Sequence, residues 1–102
     1  MLGGGVGCSR LAVALAAEIG PSHLTLIINT ADDMWRYGLR ICPDLDTNLY
    51  GLADLSDKAR GWGLAGDTFR TTDQLSRLGY DTWFQLGDRD LATHVLRTEL
   101  LR

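Results

Sequence analysis

Lysine is almost missing from this chain: Lys58 is the only one, beside nine arginines. Glutamate is nearly as scarce, with Glu18 and Glu99 against eleven aspartates. The residues that usually decorate solvated helix faces are therefore in short supply, and the acids are short carboxylates that favour caps, turns and hard-cation ligation. Arginine suits bidentate grips on phosphate or carboxylate, although codon bias in a GC-rich genome enriches it equally well. Cysteine is limited to Cys8 and Cys42 with no CxxC pair, which excludes a zinc knuckle and a disulfide framework. Two buried reduced thiols are expected instead. No run of about 18 apolar residues could span a bilayer, and no basic start leads into an apolar core with a small-residue cleavage site. A soluble, cytoplasmic protein with no membrane partner is expected. The formal charge of -3 provides no basic stripe for phosphates, which argues against nucleic acid as a partner.

What is present, 102 residues of which 45% are apolar and 23% charged, fits one globular unit. Met1 and Leu2 run straight into Gly3, Gly4, Gly5, Val6 and Gly7. An amphipathic helix is expected from Ser9 to Ile19, with Leu11, Leu15 and Ile19 on one stripe and Gly20-Pro21 as the stop signal. A glycine loop that opens a helix normally follows a strand, of which at most two residues stand here. Leu24 to Asn29 reads as a buried parallel strand. Thr30 to Trp35 then falls where the carboxyl end of such a strand opens into a crevice, the place where α/β proteins bind ligands.

Tyr37 to Pro43 reads as loop or a short edge strand, and Pro43 opens a helix with Asp44 and Asp46 in its first turn. Ser56 to Asp67 is glycine-rich loop, Thr72 to Leu78 a short helix and Thr82 to Leu86 a candidate strand. A final helix follows Gly87, with Leu91, Val95, Leu96, Leu100 and Leu101 as its apolar stripe. The pattern predicts an α/β fold, a Rossmann-like parallel sheet with flanking helices, incomplete within residues 1–102. A chain with half a strand at its start and no cap glycine after its last helix is expected to be the N-terminal part of a single α/β domain, marginally folded and inactive by itself.

The chemistry-bearing residues fall at element ends. Glycine-rich backbone at a helix N-terminus offers N–H donors and a positive dipole end to a phosphate, so Gly4, Gly5 and Gly7 form either an anion-binding turn or a plain tight turn. Arg10, one turn further, either adds charge there or is solvated. The dinucleotide fingerprint fails because Cys8 stands where a third glycine is needed, and the lysine of a P-loop is absent. Asn29 rather than an acid ends the second strand, which disfavours an NAD-type dehydrogenase. Asp32-Asp33 and Asp44-x-Asp46 are either caps and turn residues or the carboxylates of a Mg²⁺ site, since Mg²⁺ takes one or two carboxylates and completes its octahedron with water and substrate phosphates. In the turn Gly87-Asp88-Arg89-Asp90, Asp88 suits an N-cap, whereas Arg89 opposes the helix dipole and calls for a ligand anion or an aspartate. His94, four residues after Asp90 and off the apolar stripe, is expected to be solvated or capping, with a catalytic histidine as the alternative. Trp35, Trp62 and Trp83 are expected in the core, with a flat aromatic ligand as the alternative for Trp62.

Taken together, the segments NTADDMW, ICPDLDTNLYGLADL, RGWGLAGDTFRT and WFQLGDRDLATHVLRTELLR resemble the 2-phospho-L-lactate transferase family, in order and spacing, from the glycine loop to the last residue. The resemblance implies a Rossmann-like α/β enzyme of coenzyme F-420 biosynthesis that requires Mg²⁺ and forms a homodimer. It implies a guanylyl diphosphate donor bearing a lactyl or enolpyruvyl group, attacked at phosphorus by the ribityl hydroxyl of the deazaflavin Fo, with GMP released. By the same resemblance, Asp32 and Asp44 correspond to the metal and reaction-centre carboxylates. Asp46 and Arg89 fall where Fo is held, Asp46 being also a candidate to orient or deprotonate the hydroxyl, and Asp88 adjoins them. The alternative reading is a non-catalytic nucleotide-binding or regulatory module of the same fold.

Overall fold

The computed structural model describes residues 1–102. Strand β1 (Leu2–Gly3) is followed by helix α1 (Val6–Ile19), a 3-10 turn at Pro21–His23 and strand β2 (Ile27–Ile28). A hairpin of β3 (Met34–Arg36) and β4 (Leu39–Ile41) leads into helix α2 (Pro43–Leu52). After a long loop come α3 (Arg70–Arg77) and α4 (Asp88–Leu100). β1 and β2 pair in parallel with Leu2 opposite Ile27, and α1 supplies the crossover between them. The fold is α/β, as the alternation of apolar strand and amphipathic helix requires.

The hairpin turn is local chemistry. Tyr37 and Gly38 both take positive φ, at 54° and 74°, which is the two-residue type I′ geometry whose twist matches antiparallel strands. Met34 therefore faces Ile41, and Trp35 faces Arg40. The edge strand expected within Tyr37 to Pro43 is β4.

Helices α1 and α2 meet through small residues. Ser9 and Ala12 are buried, and a Cβ on Gly51 would lie 2.2 Å from Ser9 Oγ, so only glycine permits this approach. Ser9 Oγ donates to the Thr47 carbonyl at 3.1 Å, and Cys8 Sγ donates to Asn48 Oδ1 at 3.6 Å.

Several expectations are corrected. Ile27 is 61% exposed, because β2 has a neighbour on one side only and no helix covers that residue; the strand is two residues long rather than a buried run from Leu24 to Asn29. Thr82 to Leu86 forms no strand: no partner strand lies alongside, and the segment turns on itself, with Trp83 N donating to Asp81 Oδ1 and Gln85 Nε2 to the Thr82 carbonyl. The leucine stripes of α1 and α4 face outward, with Leu11, Ile19, Val95, Leu96, Leu100 and Leu101 all exposed, since the helices meet their neighbours through the opposite, smaller or polar faces. Trp35, Trp62 and Trp83 are also exposed; Arg40, Arg60 and Arg36 respectively lie over their rings. Both cysteines are free as expected, Cys42 buried and Cys8 half-buried.

Candidate functional site

The glycine loop, β2 and the start of α2 converge at the carboxyl edge of the parallel pair. A Cβ on Gly4 would lie 2.5 Å from Asp44 Oδ2 and 3.3 Å from the Asn29 side chain. Asn29 Nδ2 donates to Asp44 Oδ2 at 3.3 Å, and the Ala31 amide donates to Asn29 Oδ1 at 3.1 Å. Asn29 thus couples Asp44 to the turn that carries Asp32, which is exposed. Asp44 reaches this place because Pro43 fixes the first helical φ of α2 and the loop opposite has no side chain to obstruct it. Gly5, with φ 27°, ends the loop and precedes α1; Gly5 and Gly7 have open space where a Cβ would stand. By donor chemistry Asp44 and the exposed Asp32 fit Mg²⁺, which takes one or two carboxylates and completes its shell with waters and phosphates.

A second cluster lies in the interior, between α2 and α4. Asp46 is buried and paired with Arg97. His94 Nδ1 lies 3.5 Å from Asp46 Oδ2 and 3.3 Å from an Arg97 guanidinium nitrogen, while His94 Nε2 lies 3.3 Å from Asp90 Oδ1. Tyr50 donates its hydroxyl to Asp90, and Arg97 also donates to the Arg40 carbonyl at 3.2 Å. By residue type Asp46, Asp90 and His94 form a metal triad, their ligand atoms within 4.8 Å of one another. Arg97 already supplies the cation. Its guanidinium, beside both Asp46 and His94 Nδ1, places a positive charge against the group and so opposes a second cation there.

Burial and pairing compete within this cluster. Burial pushes the Asp46 carboxyl up and outweighs Arg97, whereas for Arg97, which keeps more solvent, the Asp46 pair outweighs burial and holds the guanidinium charged. Burial also pushes Asp90 up, but hydrogen bonds from His94 and Tyr50 prevail and hold it below its ordinary value. Tyr50 is raised by burial and by its bond to Asp90. Cys42 is raised by burial.

The third charged turn is a pair of exchanged caps. Asp88, at the start of α4, accepts from Thr68 Oγ1 at 2.6 Å and from the amides of Arg70 and Thr71 at 2.9 and 2.8 Å, so it caps α3. Asp67, ahead of α3, accepts from the amides of Arg89 and Asp90 at 2.9 and 3.1 Å, so it caps α4. A Cβ on Gly87 would lie 2.0 Å from Asp67 Oδ2, which makes glycine obligatory between them. Bonds from Thr68 and from the backbone hold the Asp88 carboxyl well below the usual carboxylate range. The exposed Arg89 guanidinium donates to the Ala65 carbonyl at 3.2 Å.

Of the sequence-predicted residues, Gly4 and Asp44 come together, with Asp32 on the adjoining turn. Asp46 lies inside the second cluster, and Asp88 and Arg89 lie on the capped turn. His94, expected to be solvated or capping, is 1% exposed, because α4 packs its polar face against α2 and β4. Asp67, Asp90 and Arg97 were not singled out for site roles by sequence; the signal available was their spacing, with Asp90, His94 and Arg97 on one helical face.

The chain is an α/β unit whose glycine loop meets the Asp44 carboxylate at the carboxyl edge of a parallel pair, the edge at which α/β folds bind their ligands. The 2-phospho-L-lactate transferase family model matches residues 1–102, and the chain belongs to that family. A phosphoenolpyruvate transferase of Nocardia farcinica is 46% identical over 103 residues, covering 100% of this chain and 31% of its own length. A 2-phospho-L-lactate transferase of Methanosarcina acetivorans is 43% identical over 102 residues, covering 100% of this chain and 33% of its own length. A phosphoenolpyruvate transferase of Mycobacterium leprae is 52% identical over 80 residues, 78% of this chain. The chain spans about a third of the length of the first two relatives, and its match covers 24% of the third. No helix is long and apolar enough to cross a membrane.

Proposed function

We propose that this chain carries the phosphate-binding and carboxylate part of a cytoplasmic, homodimeric transferase of coenzyme F-420 biosynthesis. The reaction moves a phospholactyl or phosphoenolpyruvyl group from a guanylyl diphosphate donor to the ribityl hydroxyl of Fo and releases GMP. The oxygen of that hydroxyl bonds to phosphorus, the bond from phosphorus to the GMP oxygen breaks, and the hydroxyl proton leaves to a base or to water. One observation carries the reading: the approach of Gly4 to Asp44, which sets bare backbone beside a carboxylate at the edge where a diphosphate would lie.

Transfer at phosphorus needs position and charge neutralisation more than covalent chemistry. Asp44 and Asp32 would hold Mg²⁺, which neutralises charge on the non-bridging oxygens of the donor. The backbone of Gly4, Gly5 and Gly7 orients the diphosphate, and Asn29 fixes the Asp44 carboxylate. Asp88 keeps the turn of Arg89 in place, and Arg89 holds the acceptor. Asp46 contributes by anchoring His94 and Arg97 of α4, a positioning role consistent with its burial.

The test is calorimetric titration of the guanylyl diphosphate donor with and without Mg²⁺, on the protein and on Asp44→Ala. Binding that tightens with Mg²⁺ in the parent and loses that dependence in the variant is expected. Equal metal dependence in both removes Asp44 from the site.

A further inference from the structure

Cys8 stands where the dinucleotide fingerprint needs its third glycine, and the fold gives that position another use. Its thiol lies against the glycine loop, so close that a Cβ on Gly3 would stand 2.3 Å from Sγ. The same Sγ donates to Asn48 Oδ1 at 3.6 Å, 40 positions along the chain. Asn48 is 2% exposed, and its Nδ2 donates to the Asp44 carbonyl at 2.9 Å. A carbonyl oxygen only accepts, so this bond fixes which end of the amide is nitrogen and leaves Oδ1 for the thiol proton. Both ends of the buried amide are thereby satisfied, and neither can find water in place of a lost partner.

These contacts close a ring around the phosphate edge. On one side the Asn29 amide donates to the Gly3 carbonyl at 2.7 Å, and the Asn29 side chain donates to the Asp44 carboxylate at 3.3 Å. On the other side Cys8 and Asn48 join Gly3 to the Asp44 backbone. Asp44 is held at its carboxylate and at its carbonyl, with Gly4 facing it from the loop. The two holds differ in kind. Asn29 is exposed, and its bonds compete with water; Asn48 is enclosed, and its bonds do not. Ser9, the residue after Cys8, ties α1 to the Thr47 carbonyl at 3.1 Å outside this ring, which separates plain packing of α1 on α2 from the hold on the loop.

We propose that Asn48, acting through Cys8, is a positioning residue of the phosphate edge: it sets the separation of the glycine loop from the Asp44 carboxylate, on which binding of the donor with Mg²⁺ depends. The consequence for the donor rests on the function proposed above, whereas the hold on the loop rests on the contacts alone.

Two readouts separate these statements: order parameters of the Gly4 and Gly5 amides in the ligand-free protein, and calorimetric titration of the guanylyl diphosphate donor with Mg²⁺. In Asn48→Leu and in Cys8→Ala the order parameters are expected to fall from the rigid range, about 0.85, towards about 0.6. Donor affinity is expected to drop about five- to tenfold in both, the scale of one lost hydrogen bond. Cys8→Ser keeps a hydrogen for Asn48 Oδ1 and is expected to follow the parent in both readouts. Ser9→Ala cuts the neighbouring tie and is expected to lower the melting temperature without moving either readout. The proposal is overturned if Gly4 is as mobile in the parent as in Cys8→Ala, if Ser9→Ala moves the readouts as far as Asn48→Leu does, or if the parent binds donor and both Asn48→Leu and Cys8→Ala bind it as tightly. A parent that binds no donor removes the function proposed above, and the order parameters then decide the hold on the loop by themselves.

Discussion

At residue scale, two close approaches define what this chain tolerates. Gly4→Ala places a methyl group 2.5 Å from Asp44 Oδ2, so the carboxylate must move away from the loop and from Asn29. Donor affinity in the presence of Mg²⁺ is expected to fall at least tenfold, with the melting temperature changed little; unaltered affinity would separate Gly4 from the site. Arg97→Met strips a buried carboxylate of its partner, and losses of this kind cost about 3–5 kcal/mol. Denaturant unfolding of Arg97→Met, and of the double variant with Asp46→Leu, checks this: the second change is expected to recover stability, because an apolar pair leaves no uncompensated charge. Gly4 and Asp44 were legible in the sequence, since a glycine run and a Pro-Asp helix start each carry a local signal. Asp46 was legible as an acid but not as a buried one. Its partner lies 51 positions away in the chain, and no periodicity reports a pairing across that distance.

At the scale of elements, α3 and α4 depend on each other through the exchanged caps of Asp67 and Asp88. The lowered Asp88 pKa means that the native state favours its ionised form. Its stabilising contribution is therefore complete above the ordinary carboxylate value, near about 4, and is lost as pH falls below it. In thermal melts from pH 7 to pH 2.5, the parent is expected to exceed Asp88→Asn at neutral pH and to converge with it in acid; a gap that stays constant with pH would refute the cap assignment. Gly87→Ala drives a methyl into Asp67 and is expected to cost about 1–3 kcal/mol, the usual range for overpacking. Helix positions and the α1 crossover were readable from 3.6-residue periodicity and Gly-Pro punctuation. The face each helix buries was not. Apolar stripes indicate the face that most favours burial, whereas α1 and α4 meet their neighbours here through Ser9 and Ala12, and through His94, Arg97 and Thr98. Leu96→Gln and Leu100→Gln, at exposed positions, are accordingly expected to shift unfolding free energy by no more than about 0.5 kcal/mol.

For the whole molecule, burial is thin and uneven. Only 12 of 102 residues are buried, and they fall around the α1–α2 contact, around the Asp46 and His94 cluster, and beside Thr72 and Leu64. The parallel pair that carries the Gly4 and Asp44 edge sits outside these centres: it has two residues per strand, and its ends are tied by the Ile27 amide to the Met1 carbonyl at 2.8 Å and the Asn29 amide to the Gly3 carbonyl at 2.7 Å. Two short strands with exposed side chains are marginal in water, so this edge is expected to open well below the global unfolding free energy. Hydrogen exchange read at single amides should therefore find Ile27 and Asn29 fast, and Asp46 and Leu91, inside helices against the buried clusters, slow. A ligand bound at Asp44 and the glycine loop contacts the closed edge only, and it stabilises that state by the logarithm of its saturation. Adding the donor with Mg²⁺ is thus expected to slow Ile27 and Asn29 selectively, and to leave Asp46 and Leu91 unchanged. Equal protection of all four amides would mean that the edge and the buried clusters open as one unit, and the local opening of the parallel pair would fail with it.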